Sequence, residues 1–186
     1  MTIEWYIKNV VMKDLGRTVF TPGLQFLSFG MMGPTIEFFG ACFDDDSFFE
    51  PYLSESRFRK AIDSLDSLKD YRPYNTPPTP KNGPYPPHDL FANMRCGMAH
   101  IGSPGFGVAF TERGNPDEWD KHLQIWKVDD PKHPNRLILV CEDLYFDISK
   151  AADELLQKMK SGDPDVKKKH DASFLTPNLR LIQKIS

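Results

Sequence analysis

The run Asn93-Met94-Arg95-Cys96-Gly97-Met98-Ala99-His100-Ile101-Gly102 holds the residue types of this chain that most directly suggest chemistry. An arginine and a histidine stand close together on what reads as a short helix, closed by Gly102 and barred from continuing by Pro104. Arginine supplies a permanent cation, and histidine a proton that exchanges near neutral pH. Together they are the minimum kit for chemistry on a phosphodiester. On a regular helix of about 100° per residue, Leu90, Met94, Met98 and Ile101 form the inward stripe. Arg95 and His100 then lie about 140° apart on the opposite face, with the small residues Cys96 and Ala99 between them. Such a face has a low floor between a cationic wall and an imidazole wall. It admits close approach of another helix or of a second copy of the chain.

The same two side chains can instead serve structure. Near a helix C-terminus, arginine and histidine cap carbonyls and pair with carboxylates. Glu37 bears on both readings, because it is the sole formal charge between Pro22 and Phe43 and a buried carboxylate needs a partner. Arg95 is the candidate partner. Their pairing would either hold the arginine for chemistry or complete a structural ion pair, and the sequence leaves both open.

Other groupings are weaker. His88, Cys96 and His100 lack regular metal-ligand spacing, and no second cluster completes a set of four ligands, so neither metal nor cofactor is expected. Cys96 and His100 have the helical spacing of a nucleophile–base pair but no visible orienting group; a packing cysteine is the simpler reading. The glycines of Gly102-Ser103-Pro104-Gly105-Phe106-Gly107 follow a helix, the wrong order for a phosphate loop, and suit the turn into a strand. Lys167-Lys168-Lys169-His170 has no interleaved aromatics and reads as a solvated helix end.

The elements that must position these residues are mostly helical. Ile3, Tyr6, Ile7, Val10 and Val11 predict a first helix closed by Gly16. Thr21-Pro22 predicts the start of a long apolar helix to about Phe43, central in the bundle and kinked or split at Pro34, with Asp44-Asp45-Asp46 as a solvated turn. Ser54 is placed to cap a helix reaching about Lys69, with Phe58, Ile62, Leu65 and Leu68 inward. The prolines between Pro73 and Pro87 predict an extended connector. Three strands follow, at Phe106–Phe110, Leu123–Val128 and Arg136–Cys141, with a turn over Asp129–Asn135 between the last two. A final helix covers about Asp143–Met159, then a charged stretch (Asp165–Asp171) and a short docking tail through Leu179, Leu181, Ile182 and Ile185.

The expected fold class is α+β: a predominantly helical bundle with a small antiparallel β-meander or hairpin before the C-terminal helix. One domain is expected over residues 1–186, with bundle core 1–102, sheet 103–142 and helix plus tail 143–186. A hydrophobic share of 40% and aromatic share of 12% suit a packed globule. A net charge of −3 argues against a broad electrostatic footprint for duplex nucleic acid, though not against a small basic cleft. Three isolated cysteines suggest reduced thiols and a cytoplasmic setting. Charges across Met1–Asp14 argue against a signal peptide, and Gln25, Glu37 and Gly33-Pro34 against a membrane span at Pro22–Phe43.

The Arg-x4-His spacing of Arg95 and His100, on a helix of a helical bundle, resembles the signature of the HEPN superfamily (higher eukaryotes and prokaryotes nucleotide-binding). The resemblance covers roughly residues 22–102 by pattern, and Cys96 stands where members commonly carry a polar residue such as asparagine. It implies a compact helical protein, a homodimer, and RNA as partner. Metal-independent endoribonuclease activity in a toxin or defence system is implied too, with an antitoxin or other protein as a possible partner. Arg95 and His100 would be the catalytic pair, supported by Glu37, Cys96 and Ala99, the arginine stabilising phosphate charge and the histidine relaying a proton. The alternative is a non-catalytic protein-interaction or ligand-binding module in which the same residues are structural.

Overall fold

The computed structural model describes residues 2–81, 86–115, 121–127 and 135–167. The fold is α+β and mostly helical, with a three-stranded sheet before the C-terminal helix. Helix α1 covers residues 3–19, passing from α-helix (Ile3–Tyr6) through a π-helical stretch (Ile7–Met12) and back (Lys13–Val19). Thr2 opens it by accepting the Trp5 amide on its hydroxyl. Gly16, expected to end this helix, lies inside it and serves contact instead. A Cβ there would stand 2.6 Å from the Tyr145 hydroxyl, so glycine lets the C-terminal helix approach.

Helix α2, Gln25–Ala41, starts later than Thr21-Pro22 suggests. Gly23, at φ 82°, turns the chain first, and its amide donates to Gln25 Oε1 at 2.8 Å. Pro34 sits within the helix without splitting it. Phe29, Met32, Ile36 and Phe39 are buried, whereas Phe26, Leu27 and Met31 are exposed; the helix is central but not enclosed.

Helix α3, Ser54–Ser64, crosses α2 in backbone contact, since a Cβ on Gly40 would lie 1.7 Å from the Arg57 carbonyl oxygen. It stops short of the expected Lys69. Leu65 takes an extended conformation (φ −108°, ψ 117°) and a 3₁₀ segment, Asp66–Tyr74, follows. The first amides of that segment, Asp66 and Ser67, donate to the Glu154 carboxylate at 3.0 and 2.8 Å, an acceptor invisible from the local sequence. Phe58, Ile62, Leu65 and Leu68 are all buried, as their spacing suggested.

Helix α4 occupies residues 90–101 as a π-helical stretch, Phe91–Cys96, followed by α-helix, Gly97–Ile101. Gly102 closes it in the left-handed conformation (φ 62°), as expected. The inward stripe differs from the regular wheel. Ile101 is 71% exposed, and Gly97 is buried in its stead. The cause is the π-turn, whose bonds reach five residues back rather than four and so rotate the chain less per residue.

Strands β1 (Val108–Thr111), β2 (Ile125–Trp126) and β3 (Arg136–Val140) form a sheet in the order β1-β3-β2. The β2–β3 pair is antiparallel, but β1 runs parallel to β3, with Val108 opposite Leu137, so the sheet is mixed rather than wholly antiparallel. Helix α5, Cys141–Ser161, ends at Gly162 (φ 74°) and packs Leu144, Ile148, Ala152 and Leu155 inward. Among the described residues no helix is long and apolar enough to cross a membrane. Asp129 to Pro134 of the expected turn and the tail through Leu179 to Ile185 lie outside the described residues, as do residues 82–85 of the Pro-rich connector.

His122 ties sheet to bundle. Its Nδ1 accepts the Val140 amide at 2.9 Å, and its Nε2 meets the Tyr71 hydroxyl at 2.8 Å. Tyr71 in turn donates to Asp147 Oδ2 at 2.9 Å. Because Nδ1 must accept from a backbone amide, these partners assign a neutral ring with its proton on Nε2. Burial lowers the His122 pKa, opposed by the charges of Asp143 and Asp147.

Two predictions follow from this packing. Gly40→Ala should force α2 and α3 apart and cost about 2 kcal/mol or more in chemical denaturation; a variant as stable as wild type contradicts the backbone contact. The depressed His122 pKa makes the unfolded chain the better proton acceptor, so its contribution is whole above about pH 6.5 and is lost as pH falls through the lower folded value. Thermal melts should therefore weaken with acid over that window, and His122→Gln should reduce the slope. An unchanged slope in the variant counts against the assignment.

Candidate functional site

Two glycines of α2 set the position of Arg95. A Cβ on Gly33 would lie 3.1 Å from the Arg95 Cα, and one on Gly30 would lie 3.7 Å from the Met98 methyl group. Helix α4 therefore rests directly on the α2 backbone. Glu37, one turn beyond Gly33 on the same helix, then meets the guanidinium. Arg95 Nε donates to Glu37 Oε2 at 2.9 Å, and Arg95 Nη2 lies 2.8 Å from the same oxygen. Ser54, expected to cap α3, instead donates its hydroxyl to Glu37 Oε2 at 2.7 Å. The carboxylate that the sequence suggested for Arg95 is the one it meets. Both side chains keep about a fifth of their surface exposed (20% and 22%), so the pair sits at a rim rather than in the interior.

Phe91, one turn before Arg95, links this pair to a second one. Its ring lies 6.0 Å below the Arg95 guanidinium and 5.7 Å from that of Arg59. Arg59 in turn pairs with buried Asp89 at 2.7 Å and with Glu55 at 2.8 Å. Burial disfavours the Arg59 cation, but these carboxylates outweigh it and raise its pKa. Asp89 also accepts the Ala92 amide at 2.8 Å, fixing the start of α4.

Beside Arg95 opens a cleft of about 250 Å³. Glu37, Arg57 and Arg95 supply its polar wall, and Phe38, Phe48 and Phe49 its apolar wall. Phe38 and Phe48 stack with centroids 5.2 Å apart. Arg57 is 4% exposed and binds Asp44 through two hydrogen bonds of 2.7 and 3.2 Å. It also donates to the Phe48 and Ser47 carbonyls, so it moulds the loop that forms the cleft wall. Asp44 is thus an ion-pair partner, a correction to the expected solvated aspartate turn.

The remaining expected residues lie elsewhere. His100 and Ala99 are exposed at the end of α4, and His100 does not line the cleft that holds Arg95. Cys96 is half-buried. Burial pushes its thiol pKa up, with the Arg95 cation opposing, so it keeps its proton at neutral pH and is no ready nucleophile. His88 Nδ1 donates to the Gly107 carbonyl at 2.9 Å and acts structurally. The glycine loop folds back on α4: the Gly105 amide donates to the Asn93 carbonyl, and the Gly107 amide to Asn93 Oδ1. Among the described residues no group of His, Cys, Asp or Glu is placed to hold a metal ion.

Sequence reasoning passed over Arg57, Arg59 and Asp89. The signal was present: Arg57 and Arg59 flank inward Phe58, each about 100° from it on the wheel, a boundary position where guanidinium groups reach buried acceptors. A Glu37→Ala/Arg95→Ala double-mutant cycle, read by chemical denaturation, should give a coupling of about 1 kcal/mol, more than a freely exposed pair. Additive single mutants would mean that the pair stabilises nothing.

Comparison of the chain with protein-family models, with curated proteins and with solved structures finds no match.

Proposed function

We propose that this protein is a HEPN-like RNA-processing protein of the cytoplasm, in which Arg95 contacts an RNA phosphate and His100 is supplied to that phosphate by a second copy. The observation that supports it is the Arg95 guanidinium held by Glu37 at the rim of the cleft. A cation fixed before substrate arrives stabilises developing phosphate charge without reorganising. The aromatic wall beside it suits an unstacked base better than a duplex, in keeping with the acidic net charge of −3. His100, exposed on the same helix but outside the cleft, needs a partner molecule to reach the reacting group. Cys42, Cys96 and Cys141 are thiols rather than disulfides, which supports a reducing compartment.

In this reading the imidazole takes the proton of the ribose 2′-hydroxyl, whose oxygen attacks the adjacent phosphorus. The bond to the 5′-oxygen breaks, and that oxygen takes up a proton. The products are a 2′,3′-cyclic phosphate and a 5′-hydroxyl, with no metal needed. A second reading is favoured by one feature: Nε and Nη2 of Arg95 both engage one oxygen of Glu37. An arginine so satisfied is compatible with a binding module that cuts nothing.

The test is cleavage of labelled single-stranded RNA in EDTA by wild type, His100→Ala and Arg95→Lys. Chelator-resistant cleavage should fall by about a hundredfold or more in His100→Ala, and mixing the two variants should restore part of it through the composite site. RNA bound but left intact by wild type favours the non-catalytic module. Equal cleavage by wild type and His100→Ala overturns the assignment of the histidine.

A further inference from the structure

At the opposite end of α2 from Arg95 lies a second cavity, of about 380 Å³, between the start of that helix and β1. Phe26, Phe29 and Phe110 form its aromatic side, and Glu112 lies on its polar side. The rings are arranged as a corner. Phe29 and Phe110 stack in parallel at 3.9 Å, and Phe26 stands at 61° to Phe110 with centroids 6.1 Å apart. Phe26 is 46% exposed, although it sits on the most apolar helix of the protein.

Glu112 is half-buried and makes no ion pair among the described residues. Its neighbour Arg113 is engaged elsewhere, pairing with Asp143 and lying over the Phe146 ring at 5.3 Å. The cavity is therefore lined by three aromatic rings and by Glu112, which forms no ion pair among the described residues. Aromatic faces carry negative potential, and a ring corner closed by a carboxylate is complementary to a soft, weakly hydrated cation. A hydrated metal ion would find one carboxylate and no further anionic ligand among the lining residues. The volume is that of a small-molecule site.

We propose that this cavity binds an organic ammonium group, a quaternary or methylated amine, with Phe26 and Phe110 against its methyl groups and Glu112 as counter-ion. The site is separate from the Arg95 cleft and does not depend on the protein's acting on RNA.

The test titrates choline into the full chain and follows amide NMR shifts at Gln25, Phe110, Thr111 and Glu112. Its neutral isostere, 3,3-dimethylbutan-1-ol, is titrated in parallel. Choline should give saturable shifts confined to those residues, and the alcohol should not. Phe26→Leu and Glu112→Gln, both at partly exposed positions, should each weaken choline by about three- to tenfold while leaving the remaining spectrum unchanged. A trimethyllysine peptide forms the second arm: tighter binding than choline identifies a modified chain as the source, and equal or weaker binding a free small cation. Equal binding of the alcohol and choline overturns the proposal, as does undiminished choline binding by Glu112→Gln or the absence of localised shifts.

Discussion

The structure turns on how closely other helices approach α2. Gly33 lets the α4 backbone rest on it, and Gly40 does the same for the backbone of α3 at Arg57. Side chains at these positions would separate the layers, and the ion pairs at the crossings would lose their geometry. Glu37 lies between the two contacts and takes a donor from each neighbouring helix, Arg95 from α4 and Ser54 from α3. The carboxylate is therefore less an isolated charge in an apolar helix than the joint at which three helices are registered.

That joint explains the character of the cleft. Arg57 and Arg95 bring two permanent cations to its wall, each balanced by a carboxylate, Asp44 and Glu37. Held in this way the guanidiniums lose little side-chain freedom on meeting a ligand, which is the advantage of a preorganised site. The balanced charge also limits long-range attraction, so a ligand there would be selected by fit at short range more than by electrostatic steering.

Much of the architecture was legible because it rests on local periodicity. The inward face of α3, the cap at Gly102 and the antiparallel β2–β3 pairing follow from spacing and local signals. What escaped depends on contacts distant in sequence. Gly16 reads as a stop signal but is a docking surface for Tyr145, and Ser54 reads as a cap but serves Glu37. The parallel pairing of β1 with β3 follows from tertiary packing. The π-helical stretch in α4 shifted the wheel, exposing Ile101, because periodicity analysis assumes a constant turn. For the site, the partnership of Glu37 with Arg95 was readable from the cost of burying a lone charge. The separation of His100 from the cleft was not, since it depends on where the neighbouring loops close.

The glycine contact at Gly33 is what aims Arg95 at Glu37. The Arg95 Nε–H resonance reports on this directly, because a side-chain amine hydrogen-bonded to a carboxylate exchanges slowly with water. In wild type at neutral pH it should be a resolved, protected signal that disappears in Gly33→Ala. An equally protected signal in Gly33→Ala, or none in wild type, would contradict it.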